Sequence, residues 1–493
     1  MRALRPRRSG AFAAVLGAAL LTAAACGTSP TPSTGPSTTT GTTTGTTTGT
    51  TQAPATSAPT GTASQLWAQT WTPKGEGPPV GAEAVAVSPS GSAVYVAGSG
   101  PTIAYAAATG RQLWLVSDSA LPNGALAAAV SPDGSRVYVT GPSSASGTGD
   151  DYLTVAYAAA TGARLWTARY DGPGKGADDP AALVATGGLV VVNGVSGGAA
   201  TGADFATVAY DATTGQQRWV ARYDGPGHGD EGWFPSGQHS LAVDPGGTTV
   251  YVTGGSATGA SQTGYATVAY AAQTGARRWV ARFGDAGTAQ ALALAVAVSP
   301  DGSTVAVTGY GESPTTKADM ATVAYAASTG AQRWVARYNG PASQNEGGGS
   351  IAFAPTGGSV FVTGTSEGAT EGKEDVAIVA YDVATGSQRW AQRYDAPEHG
   401  DDNAAALALS TDGSRLYVTG RTVPSPMLDE YVTVAYATGT GSRIWTMRHG
   451  VAGGTADAER ASEAHAIAVS PTDGTVFVTG LSGRGYATLA YRG

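Results

Sequence analysis

Apolar and polar positions along this chain change over in short bursts. Runs such as Ala295-Val296-Ala297-Val298, Val137-Tyr138-Val139-Thr140 and Ala206-Thr207-Val208-Ala209-Tyr210 hold four or five strand-forming residues each and end at glycine-bearing turns, which predicts short β-strands. The bursts recur. A Tyr preceded by Ala closes one of them at Tyr105, Tyr157, Tyr210, Tyr270, Tyr325, Tyr381, Tyr436 and Tyr491, and the first seven are followed nine residues later by Trp114, Trp166, Trp219, Trp279, Trp334, Trp390 and Trp445. The spacing runs from 47 residues, Trp67 to Trp114, to 60, Tyr210 to Tyr270. A strand-patterned unit of that size cannot bury its apolar face alone and must stack on its neighbours.

Each unit reads as four strands. The first ends in a reversal such as Ser299-Pro300-Asp301-Gly302-Ser303, where Pro and Asp-Gly supply the dihedrals of a tight turn. A second strand, Val137 to Gly141 or Val250 to Gly254, leads through a variable loop to the third, which carries the Tyr. A Thr-Gly turn such as Thr214-Gly215 opens the fourth, Gln217 to Tyr223, which carries the Trp. Four antiparallel strands per repeat, arranged in a ring, describe an all-β propeller. The eighth unit stops at Gly493 before any Trp strand, while Gln65 to Trp71 offers one at the other end. We therefore expect eight blades, with the N-terminal strand completing the last and hiding its edge; a seven-bladed ring with one irregular unit is the alternative.

The ends of the chain add three expectations. Arg2, Arg5, Arg7 and Arg8 precede an apolar stretch from Ala11 to Ala25 and then Cys26, the only cysteine, which reads as an export signal over residues 1–25. With Cys26 directly after three alanines the segment resembles a bacterial lipoprotein signal, implying lipidation of Cys26 and a place on the outer face of the cell membrane; the alternative is secretion. Residues 26–64, rich in Thr, Gly, Ser and Pro, have too little apolar surface to offset their ordering entropy and are expected to form a disordered tether. Residues 65–493 form the propeller domain. One Cys excludes an intrachain disulfide. Formal charge is 28 − 36 = −8, and −12 once the four signal arginines are removed, which speaks against a nucleic-acid partner.

The segment Ala209 to Trp219 fits A-x-D-x-x-T-G-x-x-x-W, and Ala380 to Trp390 fits it again; the other Trp-bearing units keep Ala, Gly and Trp and replace the Asp. Over residues 65–493 the chain resembles the pyrroloquinoline-quinone-like (quinoprotein-type) repeat propellers. That resemblance implies blade packing for the Trp and Gly. It does not imply the dehydrogenase chemistry, because those enzymes carry a vicinal cysteine pair that a single-cysteine chain lacks, and no quinone ligands carry over. Non-enzymatic relatives include lipoproteins that scaffold envelope assembly.

Candidate chemistry gathers at the face bearing the long loops and the links between blades. Acids stand six residues before the Tyr at Asp151, Asp204, Asp319, Asp375 and Glu430, and the links add Asp178, Asp179, Asp230, Glu231, Glu346, Asp401 and Asp402. Exposed carboxylates around one rim would attract cations or a basic partner, so Asp178, Asp179, Asp230, Glu231, Asp401 and Asp402, with Trp233 beside them, form the expected binding rim. Calcium is the one cofactor this composition suggests, although no spacing resembles a known calcium loop. All five histidines fall in or beside the links, and Glu83, His239 and His465 hold one repeat position, five residues before the turn. If blade eight adjoins blade one, Glu83 and His465 become neighbours, where a carboxylate could orient an imidazole as a base or metal ligand. The resulting expectation is a monomeric protein-binding or scaffolding module of the cell envelope; the alternative is an extracellular hydrolase or lyase with a His/acid site at the channel mouth. Units one and eight have the shortest second-to-third loops, which predicts a notch in the rim where they meet.

Overall fold

A computed structural model describes residues 63–493 apart from 76, 146–148, 175, 200, 232–238, 260–261, 285–289, 313–316, 369–372, 426–427 and 452–460. The expected export signal, Cys26, nearly all of the tether and Trp233 lie outside the described residues. No described helix is long and apolar enough to cross a membrane.

Among the described residues thirty-two strands, numbered in chain order, form eight four-stranded antiparallel sheets. The innermost strands of blades 1 to 8 are β2 (Ala82–Val87), β6 (Ala127–Val130), β10 (Asp178–Thr186), β14 (Leu241–Val243), β18 (Ala291–Val298), β22 (Glu346–Phe353), β26 (Asp402–Leu409) and β30 (Ser462–Val469). Each meets the innermost strand of the next blade, and β30 meets β2, so the ring is closed. The seam is the one expected: β1 (Gln65–Trp71) pairs antiparallel with β32 (Gly485–Tyr491), from Gln65 opposite Tyr491 to Trp71 opposite Tyr486. Where every other blade has a turn between its third and fourth strands, blade 8 has the hydrogen bond from Arg492 N to Ser64 O, 3.0 Å. It is the counterpart of Asp211 N to Gln216 O, 2.8 Å, in blade 3.

The repeated aromatics form a belt around the ring. Trp166 is 9 % exposed; its ring lies 5.8 Å from Tyr138 of its own blade and 6.4 Å from Tyr210 of the next. Its Nε1 donates to Ala212 O at 3.2 Å. The same reach across the junction is made by Trp67 to Ala107 O, Trp114 to Ala159 O, Trp219 to Ala272 O, Trp279 to Ala327 O, Trp334 to Val383 O and Trp390 to Thr438 O, between 2.7 and 2.9 Å. The Thr-Gly turn beneath must be glycine for two reasons. Gly215 has φ +73°, and a Cβ there would stand 2.7 Å from Cδ2 of Trp166, closer than packed carbons come.

Candidate functional site

The second-to-third hairpins and the inter-blade links emerge on one face, and the tight turns on the other. Six innermost strands carry a β-bulge at one repeat position, skipping Glu83, Ala181, Leu294, Gly349, Ala405 and His465. A bulge re-aims the extra side chain. Four of the six are Ala, Leu or Gly, and the two polar ones are adjacent across the seam. His465 Nδ1 lies 3.1 Å from Glu83 Oε2 and 3.0 Å from Ala82 O, and Nε2 lies 3.7 Å from Glu463 Oε2.

The charge network continues from there. Glu463 Oε1 is 3.2 Å from Nη1 of Arg421, which is 3.7 Å from Asp429 Oδ2 and donates through Nη2 to Asn403 Oδ1 at 3.1 Å. Asn403 in turn donates to Glu374. The mouth is thus charged from blade 6 through blades 7 and 8 to blade 1. Burial alone would strip the proton from His465, but Glu83 and Glu463 outweigh it and hold the imidazole up at about pKa 10. Burial pushes Glu463 up, and His465 and Arg421 bring it below the ordinary carboxylate range.

An imidazolium has no lone pair with which to accept a proton or ligate a metal. The pairing of Glu83 with His465 is therefore the one expected, but its chemistry favours an ion-paired strut over a general base. His239 does not join it. It stands in blade 4, opposite blade 8, at 3 % exposure, with neither ring nitrogen hydrogen-bonded among the described residues, and burial lowers it to about pKa 4. Glu83, His239 and His465 do not form one site.

The expected rim also needs correction. Asp178 and Asp402 are 0 % exposed and Glu231 1 %, while Asp179 and Asp401 are half-buried and Asp230 is exposed. The buried acids brace the links, each accepting a backbone N–H from six residues earlier: Gly172 to Asp178 Oδ2, 2.6 Å; Gly225 to Glu231 Oε1, 3.0 Å; Ala396 to Asp402 Oδ2, 2.6 Å. Burial raises the pKa of all three. The acids six before the Tyr are neutralised by the arginine three after the Trp of the same blade. Asp151 pairs with Arg169, Asp204 with Arg222 at 2.7 Å, Asp319 with Arg337 at 3.5 Å, Asp375 with Arg393 at 2.5 Å and Glu430 with Arg448 at 2.7 Å. The constant separation of 18 residues is the signal that would have revealed these pairs.

The notch is present. In blade 2 the hairpin of β7 (Arg136–Ala145) and β8 (Gly149–Ala158) runs four residues past Gly141, whereas β3 (Ala93–Gly98) stops at the equivalent Gly98, a drop of roughly 13 Å at about 3.3 Å per residue. The link between β1 and β2 crosses the neighbouring blade 8 hairpin, held by Arg484 Nη2 donating to Gly75 O and Gly77 O at 3.1 and 2.9 Å.

Comparison with known proteins places this geometry. The family model described as outer membrane protein assembly factor BamB matches residues 52–308 and 319–493. Among solved structures, quinohemoprotein alcohol dehydrogenase of Comamonas testosteroni superposes with TM-score 0.56 at 15 % identity, over 87 % of this chain and 76 % of that one. Chaetomium thermophilum Sqt1, bound to the N-terminus of ribosomal protein L10, gives 0.55 at 12 % identity over 84 % and 97 %. BamB of Moraxella catarrhalis gives 0.49 at 15 % identity over 87 % and 99 %. At these identities the likeness is one of fold. A search of curated proteins returns no match.

Proposed function

The chain belongs to the family of the outer membrane protein assembly factor BamB, and on that premise we propose that it is an exported, lipid-tethered propeller that serves as a protein-binding or scaffolding module in the cell envelope. The observation that carries this reading is the family match across most of the ring. Sqt1, a propeller that shares the fold, is seen bound to a protein segment, which supports a protein partner here. The long-hairpin face is the proposed contact surface, because loops on a rigid frame vary without cost to the core. Of its acids, Asp230 is exposed and Asp179 and Asp401 are half-buried, and together they favour a basic partner. Asp178, Glu231 and Asp402 support the links from within.

The competing reading, an extracellular hydrolase or lyase at the channel mouth, needs a histidine that exchanges its proton near neutral pH. His465, clamped between two carboxylates, is poorly suited to that. A quinone fits the mouth no better: its charged groups already satisfy one another, and the chain's single cysteine cannot form the vicinal pair of the quinone enzymes.

The test is capture from envelope extract by the immobilised mature protein, beside a triple variant with Asp179, Asp230 and Asp401 each changed to Lys. We expect a protein retained by the native ring and lost by the variant at unchanged melting temperature. Equal capture by both, or none by either, removes the proposal. Labelling with a fatty acid, retained by the native protein and lost in Cys26→Ser, tests the anchor separately.

A further inference from the structure

Four inter-blade links share one build. Asp171, Asp224, Asn339 or Asp395 opens a turn with Pro two residues on, and seven residues on stands a buried acid, Asp178, Glu231, Glu346 or Asp402. Two of these junctions gather three carboxylates, Asp151 with Asp171 and Asp178, and Asp375 with Asp395 and Asp402. One oxygen of each lies within 4.8 Å of the others.

The other two junctions show what is different. At the link into blade 4 the longer Glu231 satisfies both oxygens, accepting from Gly225 N at 3.0 Å and from Ala257 N at 3.1 Å. At the link into blade 6 an amide, Asn339, replaces the third carboxylate. Oδ1 of Asp178 and Oδ1 of Asp402 are sealed from solvent without a hydrogen-bond partner, as is Oδ1 of Asp151; Asp224 Oδ1 and Glu346 Oε2 at the other two junctions are sealed in the same way, so it is the gathering of three carboxylates that sets the first two apart. At the second junction Thr422, opposite Asp402 in register and 0 % exposed, sets its hydroxyl beside the Asp402 carboxyl.

Buried anionic oxygens without donors are costly and ask for a partner. Arginine balances part of the charge, Arg169 at the first junction and Arg393 at the second, so three carboxylates and one guanidinium leave about two negative charges at the first; at the second His399, 2.7 Å from Asp395, offsets a further part when protonated. Donors that are all oxygen select a hard cation, and two oxygens on opposite sides of Ca²⁺ at about 2.3–2.6 Å stand no more than about 5 Å apart, in keeping with the observed clusters.

We propose that two Ca²⁺ ions bind at equivalent blade junctions, one held by Asp151, Asp171 and Asp178, the other by Asp375, Asp395 and Asp402 with Thr422 Oγ1. Asp171 and Asp395 are exposed and form the entry. The ions brace two links of the long-hairpin face, independently of any partner that docks there.

Equilibrium dialysis of the chelator-treated mature protein against radioactive calcium should give two equivalents per chain. Asp171→Asn and Asp395→Asn, at exposed positions that spare the core, should each weaken one equivalent about tenfold or more, since affinity follows the ligand charge. Adding both changes should abolish the rise in melting temperature that millimolar calcium gives the native protein. Asp402→Asn should lose its ion too; if that buried variant fails to fold, the two exposed variants still decide. Fewer than two equivalents in the native protein, or two equivalents undisturbed in the Asp171→Asn, Asp395→Asn double variant, overturns the proposal.

Discussion

The outer belt and the inner mouth of this ring are built on opposite plans. Around the belt one contact, a Trp seated on the next blade's Thr-Gly turn, is made seven times. At the mouth one bulged position is filled by Ala, Leu or Gly in four blades and by charge in Glu83 and His465. Repetition therefore supplies cohesion, and departure from it supplies a local character that belongs to one arc of the ring. His239 sharpens the point. It holds the same repeat position as His465, yet its surroundings keep it neutral while those of His465 keep it charged.

The belt is where the comparison can be broken most forcibly. Trp219→Ala or Trp279→Ala should cost about 3–5 kcal/mol, read as a lower denaturant midpoint; a variant of unchanged midpoint would remove the packing role. At the mouth, Glu83→Gln should cost roughly 2–3 kcal/mol near neutral pH, less than a fully stranded buried charge because Glu463 remains beside the imidazole. The pH dependence has a definite sign. His465 is raised to about 10 from an unfolded value of about 6.5, so its contribution is complete below about pH 6.5 and disappears as pH rises through the folded value. Melting temperature should fall between pH 7 and 10, and His465→Gln should flatten that slope.

His239 should act in the reverse direction. Its folded value of about 4 lies under the unfolded one, so its contribution is present above about pH 6.5 and lost as pH falls through 4. His239→Phe should hold its melting temperature better between pH 6 and 4 than the native protein does. The smallest effect is expected outside the belt: Arg389 meets Asp382 at 2.7 Å on the exposed surface, and Arg389→Ala should leave the denaturant midpoint nearly unchanged. A larger loss would mean that the belt extends further than its aromatic rings.

The belt was legible in the chain because its signals are local. Tyr, Thr-Gly and Trp fall within ten residues of one another and recur, so the strand order, the eight blades and the seam at Gln65 to Trp71 could be read directly. Glu83 and His465 could be paired because a repeat position maps to a place in space once the ring is closed. The state of that pair was not legible, since Glu463 and Arg421 decide it from outside the repeat position. The rim acids were misread as solvated because a loop carboxylate and one that staples a turn look alike in sequence. Only the backbone path shows that Asp178 and Asp402 turn inward.

The bond between Arg492 and Ser64 stands on the side of the ring that bears the tight turns, because it replaces one of them. Ser64, just ahead of β1, therefore lies on the plain side, so a molecule moored through its leading segment would present its long hairpins, its notch and its charged arc outward to passing partners, and turn its most uniform surface toward the mooring.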